Sequence, residues 1–346
     1  MHSRVTLEAI ARASGVSLAT VSLVLRDKPG INGETRKRVM DAAQVLGYRR
    51  RLGAGSAPRI LRQVGVIVKA RPGDQPHSNQ FYSPVLAGVE ATCRKHQINM
   101  LYATVMVDAD NHPQDLPRML LEYELDGVLL LGAFVDRTIE QLIQQRGTPV
   151  VLADAYATSG AYDAAVSDNV GGAYEAVSYL IRQGHRQIGM VGSLPDAFPS
   201  IEQRRRGYVQ ALSDNNIAEH YFADSHMAYD EVADSTVELL RRHPQVTALF
   251  CGNDLTAAAA MQAARAAGRR LPQDLSIVGF DNIDLAEHLT PSLTTMHVDK
   301  AGMGRTAVQL LANRAEFPDA ACVTAMLRPT LIERQSACAI TPAQSR

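Results

Sequence analysis

The first 48 residues carry three short segments in which apolar residues recur at helical spacing, and each begins next to a side chain that can cap a helix. Thr6 precedes the first segment, Ser17 the second and Asn32 the third. Gly15 separates the first two, and glycine readily adopts the positive φ of a tight turn. The pattern predicts two short helices around a turn, braced by a third, which is a helix-turn-helix.

From residue 63 to residue 346 the pattern changes to short apolar runs that alternate with amphipathic helices. Seven runs predict strands buried on both faces: 64–68, 98–103, 127–133, 149–155, 187–193, 248–253 and 275–281. Helices are predicted over 84–96, 172–183, 201–215, 233–242 and 255–267. This alternation is typical of a doubly wound parallel sheet, and the number of strands favours two lobes.

A short stretch rich in Arg, Gly and Ala, residues 49–62, connects these regions and predicts a linker. Charge divides at the same place. Residues 1–62 carry twelve basic and four acidic side chains, whereas the rest of the chain has a net charge of −9. A basic head on an acidic body indicates a polyanionic partner for the head alone, although a merely solvated basic face is the alternative.

The head has side chains suited to DNA. Ser17, Thr20 and Ser22 can donate hydrogen bonds to phosphates near a helix N-terminus, where the helix dipole also favours anions. Basic side chains add electrostatic affinity through the release of counterions. We therefore expect a DNA-binding surface rather than a purely structural bundle; its basic members include Arg26, Arg36 and Arg38.

Polar side chains stand where several predicted strands end. Asp154, Asn253 and Asp281 follow three of them, and Arg204 lies in the first turn of a nearby helix. Ligands of such sheets bind beyond the carboxyl ends of the strands. Each strand-end residue could instead only cap a helix, but together the four suit a polyhydroxylated or nucleobase-like ligand.

Other functional classes lack their motifs. The sequence contains no GxSxG, GxxxxGK[ST] or HExxH motif, and no GxGxxG after the first strand, which argues against an enzyme. The four cysteines have no metal-binding spacing, so we expect neither a metal nor a cofactor. Without an apolar signal core or a membrane-spanning run, we expect a cytoplasmic protein without a membrane partner.

The run VTLEAIARASGVSLATVSLVLRDKPGINGETRKRVMDAAQVLGYR resembles the DNA-binding domain of the lactose-repressor (LacI/GalR) family of transcriptional regulators. The resemblance implies a homodimer that binds a pseudo-palindromic operator, with Leu18 and Ala19 facing base edges and Thr6 in the DNA-binding set. Many members have a polar or basic residue where this chain has Leu23, so a guanine contact from that position is not expected.

The body resembles the same family, in segments such as SNQFYSPVLAGVE, VSDNVGGAYEAVSYLIRQGHRQIGMVG and LSIVGFDNIDLAEHLTPSLTT. The resemblance implies a periplasmic-binding-protein architecture with an effector between two lobes. It places effector-contacting positions at Asp154, Arg204, Asn253 and Asp281, aromatic contacts at Phe81 and Tyr82, and an aromatic wall at Tyr229. Phe81 and Tyr82 could instead be core residues, and Lys300 stands where some members have an aromatic side chain.

Several alternatives stay open at this level. The effector is expected to be a sugar or sugar derivative, with a nucleobase or nucleoside as the second choice. Whether it induces or corepresses is not determined. A solute-binding protein without a regulatory role is a distant alternative, because it would not carry a helix-turn-helix. The linker also departs from the family, since Gly55 and Ala57 replace the arginine and leucine of its hinge helix, and we expect Arg49, Arg50 and Arg51 to bind phosphates or a narrow minor groove instead.

Overall fold

The structure, a computed structural model, describes residues 6–25, 31–45, 60–71, 79–108, 111–115, 117–135, 139–140, 147–158 and 162–340. The chain divides into two compact units, Met1–Ala57 and Pro58–Arg346. The described part of the first unit contains three helices: α1 Leu7–Ser14, α2 Leu18–Leu25 and α3 Gly33–Val45.

The three helices surround a small apolar core. Every predicted cap is present: the N–H groups of Ala9, Thr20 and Thr35 donate to Thr6 Oγ1 (3.3 Å), Ser17 Oγ (3.1 Å) and Asn32 Oδ1 (2.8 Å). Gly15 ends α1 at φ 68°, which glycine adopts without a Cβ penalty. The axes of α1 and α2 are bent by 104°, a helix-turn-helix angle. The buried core residues are Ile10, Val21, Val24, Val39 and Ala43.

The second unit is an α/β fold with two main sheets. The described strands are β1 Gln63–Ala70, β2 Asn99–Met106, β3 Gly127–Leu131, β4 Phe134–Val135, β5 Val150–Ala153, β6 Tyr156–Ala157, β7 Asp163–Ser167, β8 Ile188–Val191, β9 Tyr221–Ala223, β10 Ala248–Cys251, β11 Ser276–Asp281, β12 Thr294–His297, β13 Thr324–Leu327 and β14 Thr330–Ile332. Lobe 1 contains the sheet β13-β7-β5-β3-β1-β2 and lobe 2 the sheet β14-β12-β11-β10-β8-β9. Both are parallel, except that β14 runs antiparallel to β12.

Helices cover these sheets. The described helices of this unit are α4 Tyr82–Lys95, α5 Arg118–Glu122, α6 Asn169–Arg182, α7 Pro199–Asp214, α8 Tyr229–Arg242, α9 Asp254–Ala266, α10 Asp284–His288 and α11 Lys300–Glu316. Helices α4 and α11 pack together on lobe 1, and α6 and α7 pack together on lobe 2. Because the strands are buried on both faces, they read as continuous apolar runs in the sequence.

The described chain passes from one lobe to the other three times. It leaves lobe 1 after β7, returns after β12 and leaves again after β13. The first two crossings end in helices with matching caps: Asp168 accepts from Gly171 N–H (2.9 Å) before α6, and Asp299 accepts from Gly302 N–H (2.7 Å) before α11. The two lobes are therefore joined by equivalent strand-to-helix connections.

All seven predicted strands and all five predicted helices of the body are present, with ends shifted by a few residues. The described strands also include seven that the apolar pattern did not predict, mostly short ones such as β9 and β14. No single helix among the described residues is long and apolar enough to span a bilayer; α1 and α2 meet the criterion only when taken together across their bend.

Helices α4 and α11 approach closely enough that glycine is required at their contact. A Cβ on Gly88 would lie 2.1 Å from the backbone oxygen of Ala301, and a Cβ on Gly304 would lie 2.1 Å from that of Val85. We expect Gly88→Ala to destabilise the protein by about 1–3 kcal/mol or more, because the backbones must separate. Urea unfolding measures the loss. The neighbouring Ala87→Ser, on the exposed side of α4, should change stability by less than about 0.5 kcal/mol, and an equal effect would contradict the close packing.

Candidate functional site

Helix α2 presents hydroxyl groups at its N-terminus. Ser17 accepts the N–H of Thr20, and the hydroxyl oxygens of the two residues lie 2.8 Å apart. Ser17 is exposed, whereas Thr20 and Ser22 are half-buried. The hydroxyls of Ser17 and Thr20, two of the three predicted phosphate-binding residues, therefore lie together at the positive end of a helix dipole, where anions are favoured, and Ser22 lies further along α2.

The rest of α2 separates a buried side from an exposed one. Val21 and Val24 are buried in the helix-turn-helix core, while Leu18 and Leu23 keep 47% and 41% of their surface exposed. Ala19 is exposed beside Leu18. Exposed apolar side chains at the start of such a helix suit contact with thymine methyl groups in a major groove.

The remaining DNA-binding candidates differ in what the structure shows. Thr6 caps α1, so its hydroxyl oxygen is engaged with the Ala9 N–H. Arg26, Arg49, Arg50 and Arg51 lie outside the described residues. Their roles stay predictions.

Arg204, on the first turns of α7, is the centre of the polar cluster in lobe 2. Its Nη2 donates to Asp281 Oδ1 (2.9 Å), its Nη1 to the Gly252 carbonyl oxygen (2.7 Å) and its Nε to Asn169 Oδ1 (3.0 Å). The guanidinium carbon lies 3.8 Å from the centre of the Phe280 ring. Arg204 is 3% exposed, so the guanidinium is held in one orientation at the carboxyl ends of β10 and β11.

Lobe 1 contributes a second buried pair. Asp154 follows β5 at φ 47°, and its Oδ2 accepts the hydroxyl of Tyr82 at 2.8 Å. Burial and the Asp154 carboxylate raise the pKa of Tyr82 well above its usual value, so Tyr82 remains a donor. Phe81 is half-buried and packs edge-on against Tyr82, with 5.1 Å between ring centres.

The two pairs lie within electrostatic reach of each other where the strands of the two lobes end, a region that we call the cleft. Burial raises the pKa of Asp281, and the nearby Asp154 carboxylate raises it further, while Arg204 opposes both. Burial also raises the pKa of Asp154, opposed by Lys69, Tyr82 and Arg204. The structure thus brings together Tyr82, Asp154, Arg204 and Asp281, four of the predicted effector residues.

Four further side chains at the cleft were not among the sequence-based candidates. Lys69, near the end of β1, donates to Asn111 Oδ1 (2.9 Å) and lies 5.0 Å from the ring centre of Phe198 in lobe 2. Tyr156 packs edge-on against Phe198 at 5.2 Å, and Asn169 donates to the Tyr156 hydroxyl at 3.3 Å. The sequence does contain a signal for Lys69. It is the only charged residue of β1, it lies next to the end of that strand, and the other residues of β1 except Gln63 are apolar.

Two predicted effector residues are engaged elsewhere. Asn253 caps α9, where its Oδ1 accepts the Thr256 N–H at 2.9 Å, so its side-chain oxygen has the role of a helix cap. Tyr229, which is 49% exposed at the start of α8, donates its hydroxyl to Gln262 on α9. Neither residue is joined by a described contact to the Arg204 cluster, and their effector roles stay predictions.

Lys300 is a buried, structural cation at the edge of the cleft. Its Nζ donates to the carbonyl oxygens of Asp281 (2.6 Å), Asn282 (3.0 Å) and Val298 (3.4 Å). Burial lowers the pKa of Lys300, and the surrounding aspartates oppose that change. Within the described ranges, no group of three or more His, Cys, Asp or Glu side chains is placed to hold a metal ion.

Comparison with known proteins gives two family matches. Residues 6–51 match the family described as bacterial regulatory proteins, lacI family, and residues 177–337 match a periplasmic binding protein-like domain. The ribose operon repressor of Haemophilus influenzae is 35% identical over 96% of this chain and 98% of its own. The chain belongs to the lacI family of bacterial regulatory proteins. It is a DNA-binding transcriptional regulator and not an enzyme.

Other lacI-family proteins match over most of the chain. The repressor CytR of Escherichia coli is 32% identical over 90% of both chains, and the repressor PurR of Aliivibrio salmonicida is 31% identical over 89% of this chain and 92% of its own. Among solved structures, a regulator CelR–cellobiose complex has a TM-score of 0.69 at 28% identity and covers 96% of this chain and 100% of that one. A LacI-family regulator from Enterococcus faecium with bound ribose has the same TM-score at 25% identity, over 81% of this chain and 100% of that one.

Proposed function

We propose that this protein is a homodimeric repressor whose operator affinity is controlled by a neutral, polyhydroxylated effector, a sugar, bound in the cleft. The observation that carries the proposal is the pair of buried carboxylates, Asp154 and Asp281, on opposite sides of the cleft, the second paired with Arg204. Carboxylates accept hydrogen bonds from sugar hydroxyls, and a guanidinium group donates hydrogen bonds to the oxygens of sugar hydroxyls. A protein that represses transcription this way acts in the cytoplasm.

The balance of charge favours a neutral effector over a phosphorylated one. Among the described side chains of the cleft, Lys69 and Arg204 are matched by Asp154 and Asp281. The charge of Lys300 is opposed by further carboxylates, those of Asp254, Asp284 and Asp299. An added phosphate would therefore face two carboxylates in a buried setting, where like charges repel strongly. A sugar adds hydroxyls and no charge.

A nucleobase or nucleoside is the second candidate. The aromatic rings of Phe81, Tyr82, Tyr156 and Phe198 border the cleft and could stack on a base. The ribose operon repressor, at 35% identity, and the cellobiose complex of the regulator CelR favour a sugar instead. The ribose bound to the Enterococcus faecium neighbour also favours the sugar.

A thermal-shift screen of the full-length protein distinguishes these candidates. We expect D-ribose or a related neutral sugar to raise the melting temperature, since a ligand at a hundred times its Kd stabilises the folded state by about 2.7 kcal/mol. Ribose 5-phosphate should have a smaller effect than ribose at equal concentration. A response to adenine, hypoxanthine or adenosine alone would favour the second candidate, and a response to none of these compounds would contradict both.

In this proposal the protein binds its operator as a dimer, because one helix-turn-helix contacts only a half-site. Ser17 and Thr20 would bind phosphates, and Leu18 and Ala19 would contact base edges. The basic run Arg49–Arg51 would bind phosphates or a narrow minor groove without a leucine wedge, so the operator should be bent only weakly.

Operator bending tests the role of the linker. Fluorescence transfer between the ends of an operator fragment, selected by binding to the full-length protein, should change little when the protein binds. Affinity should fall by about a thousandfold or more between 50 and 200 mM salt if the head and linker contact six or more phosphates. A sharp central kink would show that the linker inserts between base pairs after all.

A further inference from the structure

The loop that presents Asp281 has a strained backbone. Asp281 and Asn282 adopt φ values of 101° and 49°, in the left-handed region that residues other than glycine rarely occupy. Such conformations persist only where the surrounding structure holds them, and they occur preferentially at binding sites. Whatever holds this loop therefore sets the position of a carboxylate that faces the cleft.

Side chains from three elements hold the loop. The Lys300 ammonium donates to the carbonyl oxygens of Asp281 and Asn282, at 2.6 and 3.0 Å. Arg334 Nη2 donates to Asn282 Oδ1 at 2.9 Å, and Asp254 Oδ2 accepts the N–H of Ile283 at 2.8 Å. Of these three side chains, only Lys300 has a described hydrogen bond to the carbonyl oxygen of Asp281.

Lys300 also lies at one of the crossings between the lobes. It is the first residue of α11, directly after the crossing from lobe 2 to lobe 1, and it also donates to Val298 on the other side of that crossing. The equivalent residue at the other crossing is Asn169, the first residue of α6, whose Oδ1 accepts Arg204 Nε at 3.0 Å. Each member of the Arg204–Asp281 pair is thus held by the first residue of a crossover helix.

We propose that Lys300 is a positioning residue for effector binding: from the crossing between the lobes, it fixes the Asp281 loop so that the Asp281 carboxylate meets both Arg204 and the effector. The inference rests on the proposed function, because it assigns the pair to a sugar. Lys300 acts through Asp281 and does not itself contact the ligand. Movement at the crossing would then be transmitted to the binding carboxylate through a single ammonium group.

A double-mutant cycle on the full-length protein tests the inference with D-ribose as the probe. Lys300→Met should weaken ribose affinity about tenfold, and Asp281→Asn about tenfold or more. The double variant should bind ribose about as weakly as Asp281→Asn alone, because residues that act through one another are not additive. Additive losses, or ribose affinity in Lys300→Met within about twofold of the parent, would overturn the proposal. Arg305→Met, on the exposed side of α11, is the matched control and should bind ribose normally.

Hydrogen–deuterium exchange of the ligand-free protein tests the role of Lys300 even if ribose does not bind the parent protein. Absence of ribose binding by the parent protein would count against ribose as the effector and not against the role of Lys300. Amide groups between residues 279 and 289 should exchange about tenfold faster or more in Lys300→Met than in the parent or in Arg305→Met. Unchanged exchange in this segment would overturn the proposal. If Lys300→Met does not fold, Lys300→Gln, which keeps one donor group of the right polarity, is measured in the same way, with the same two outcomes.

Discussion

Replacing Arg204 with alanine is expected to weaken sugar binding by about tenfold or more. The guanidinium makes three hydrogen bonds, to Asp281, to Gly252 and to Asn169, and it is almost completely buried at the cleft. A charge-assisted hydrogen bond contributes about 1.5–3 kcal/mol, so the loss of one donor to the effector is sufficient for this change. Isothermal calorimetry with the sugar found in the thermal-shift screen measures it.

The substitution should also lower stability, because it leaves the buried Asp281 carboxylate without its partner. Breaking a buried pair in this way typically costs about 3–5 kcal/mol. Calorimetry therefore has to be run at a temperature where urea unfolding shows the variant to be folded. Per folded dimer, operator affinity without effector should change little, since Arg204 lies in the second unit and not in the helix-turn-helix.

Arg205 offers a matched control on the next position of α7. Its guanidinium pairs with Asp224 at 2.5 Å and lies 3.6 Å from the centre of the Phe222 ring, on the β9 side of lobe 2. Arg205→Ala should therefore retain the affinity for the sugar within about twofold. Equal losses of sugar affinity in the two variants would show that the effect comes from a weakened lobe 2, and normal binding by Arg204→Ala would exclude Arg204 from the site.

Much of the fold follows from the sequence because buried parallel strands and amphipathic helices have different apolar periods. The seven predicted strands are the ones with four or more consecutive apolar residues or nearly so. Strand β7, with the sequence DAAVS, and strand β12, with TTMH, are bounded or interrupted by polar residues. Their place in the sheets is fixed by long-range pairing with β5 and β11, which local periodicity does not report.

The sequence predicts part of the candidate site for a related reason. Asp154 and Asp281 follow strands, and the ends of parallel strands meet at one edge of a sheet, so their positions along the chain predict that they lie at such an edge. Lys69 and Phe198 meet across the cleft from different lobes. Their proximity depends on how the two sheets are joined by the three crossings, and no spacing in the sequence contains that information. The sequence shows Lys300 as a departure from the family, but its three carbonyl partners are brought together only in the folded loop.

The second large effect is expected at Arg314, which makes the other buried Arg–Asp pair of the molecule's described part. Its Nε and Nη2 donate to the two oxygens of Asp163 at 2.7 and 3.0 Å, and Asp163 is 2% exposed. The same guanidinium donates to the carbonyl oxygens of Pro318, Ala320 and Ala321, which lead into β13. It therefore anchors the returning edge strand of lobe 1.

We expect Arg314→Met to lose about 3–5 kcal/mol of stability, because the buried Asp163 carboxylate keeps its charge and loses its partner. For a unit of this size that corresponds to a melting temperature lower by roughly 6–20 °C. Adding Asp163→Asn should recover part of the loss, since the amide carries no charge, whereas the exposed pair of Arg305 should lose less than about 1 kcal/mol when Arg305 is replaced. A melting temperature unchanged by Arg314→Met would contradict the anchoring role.

Substitutions in the two buried pairs should differ in their effect on sugar affinity, because the pairs lie at opposite ends of the parallel strands. Asp281 ends β11 at the cleft, whereas Asp163 begins β7, at the amino edge of its sheet. Ligands of such sheets bind at the carboxyl edge. Arg314→Met should thus melt early but bind the sugar with normal affinity while it is folded, whereas Arg204→Ala should bind weakly even where it is folded. Weak sugar binding by folded Arg314→Met would mean that the order of lobe 1 as a whole, rather than the residues of the cleft, determines the affinity.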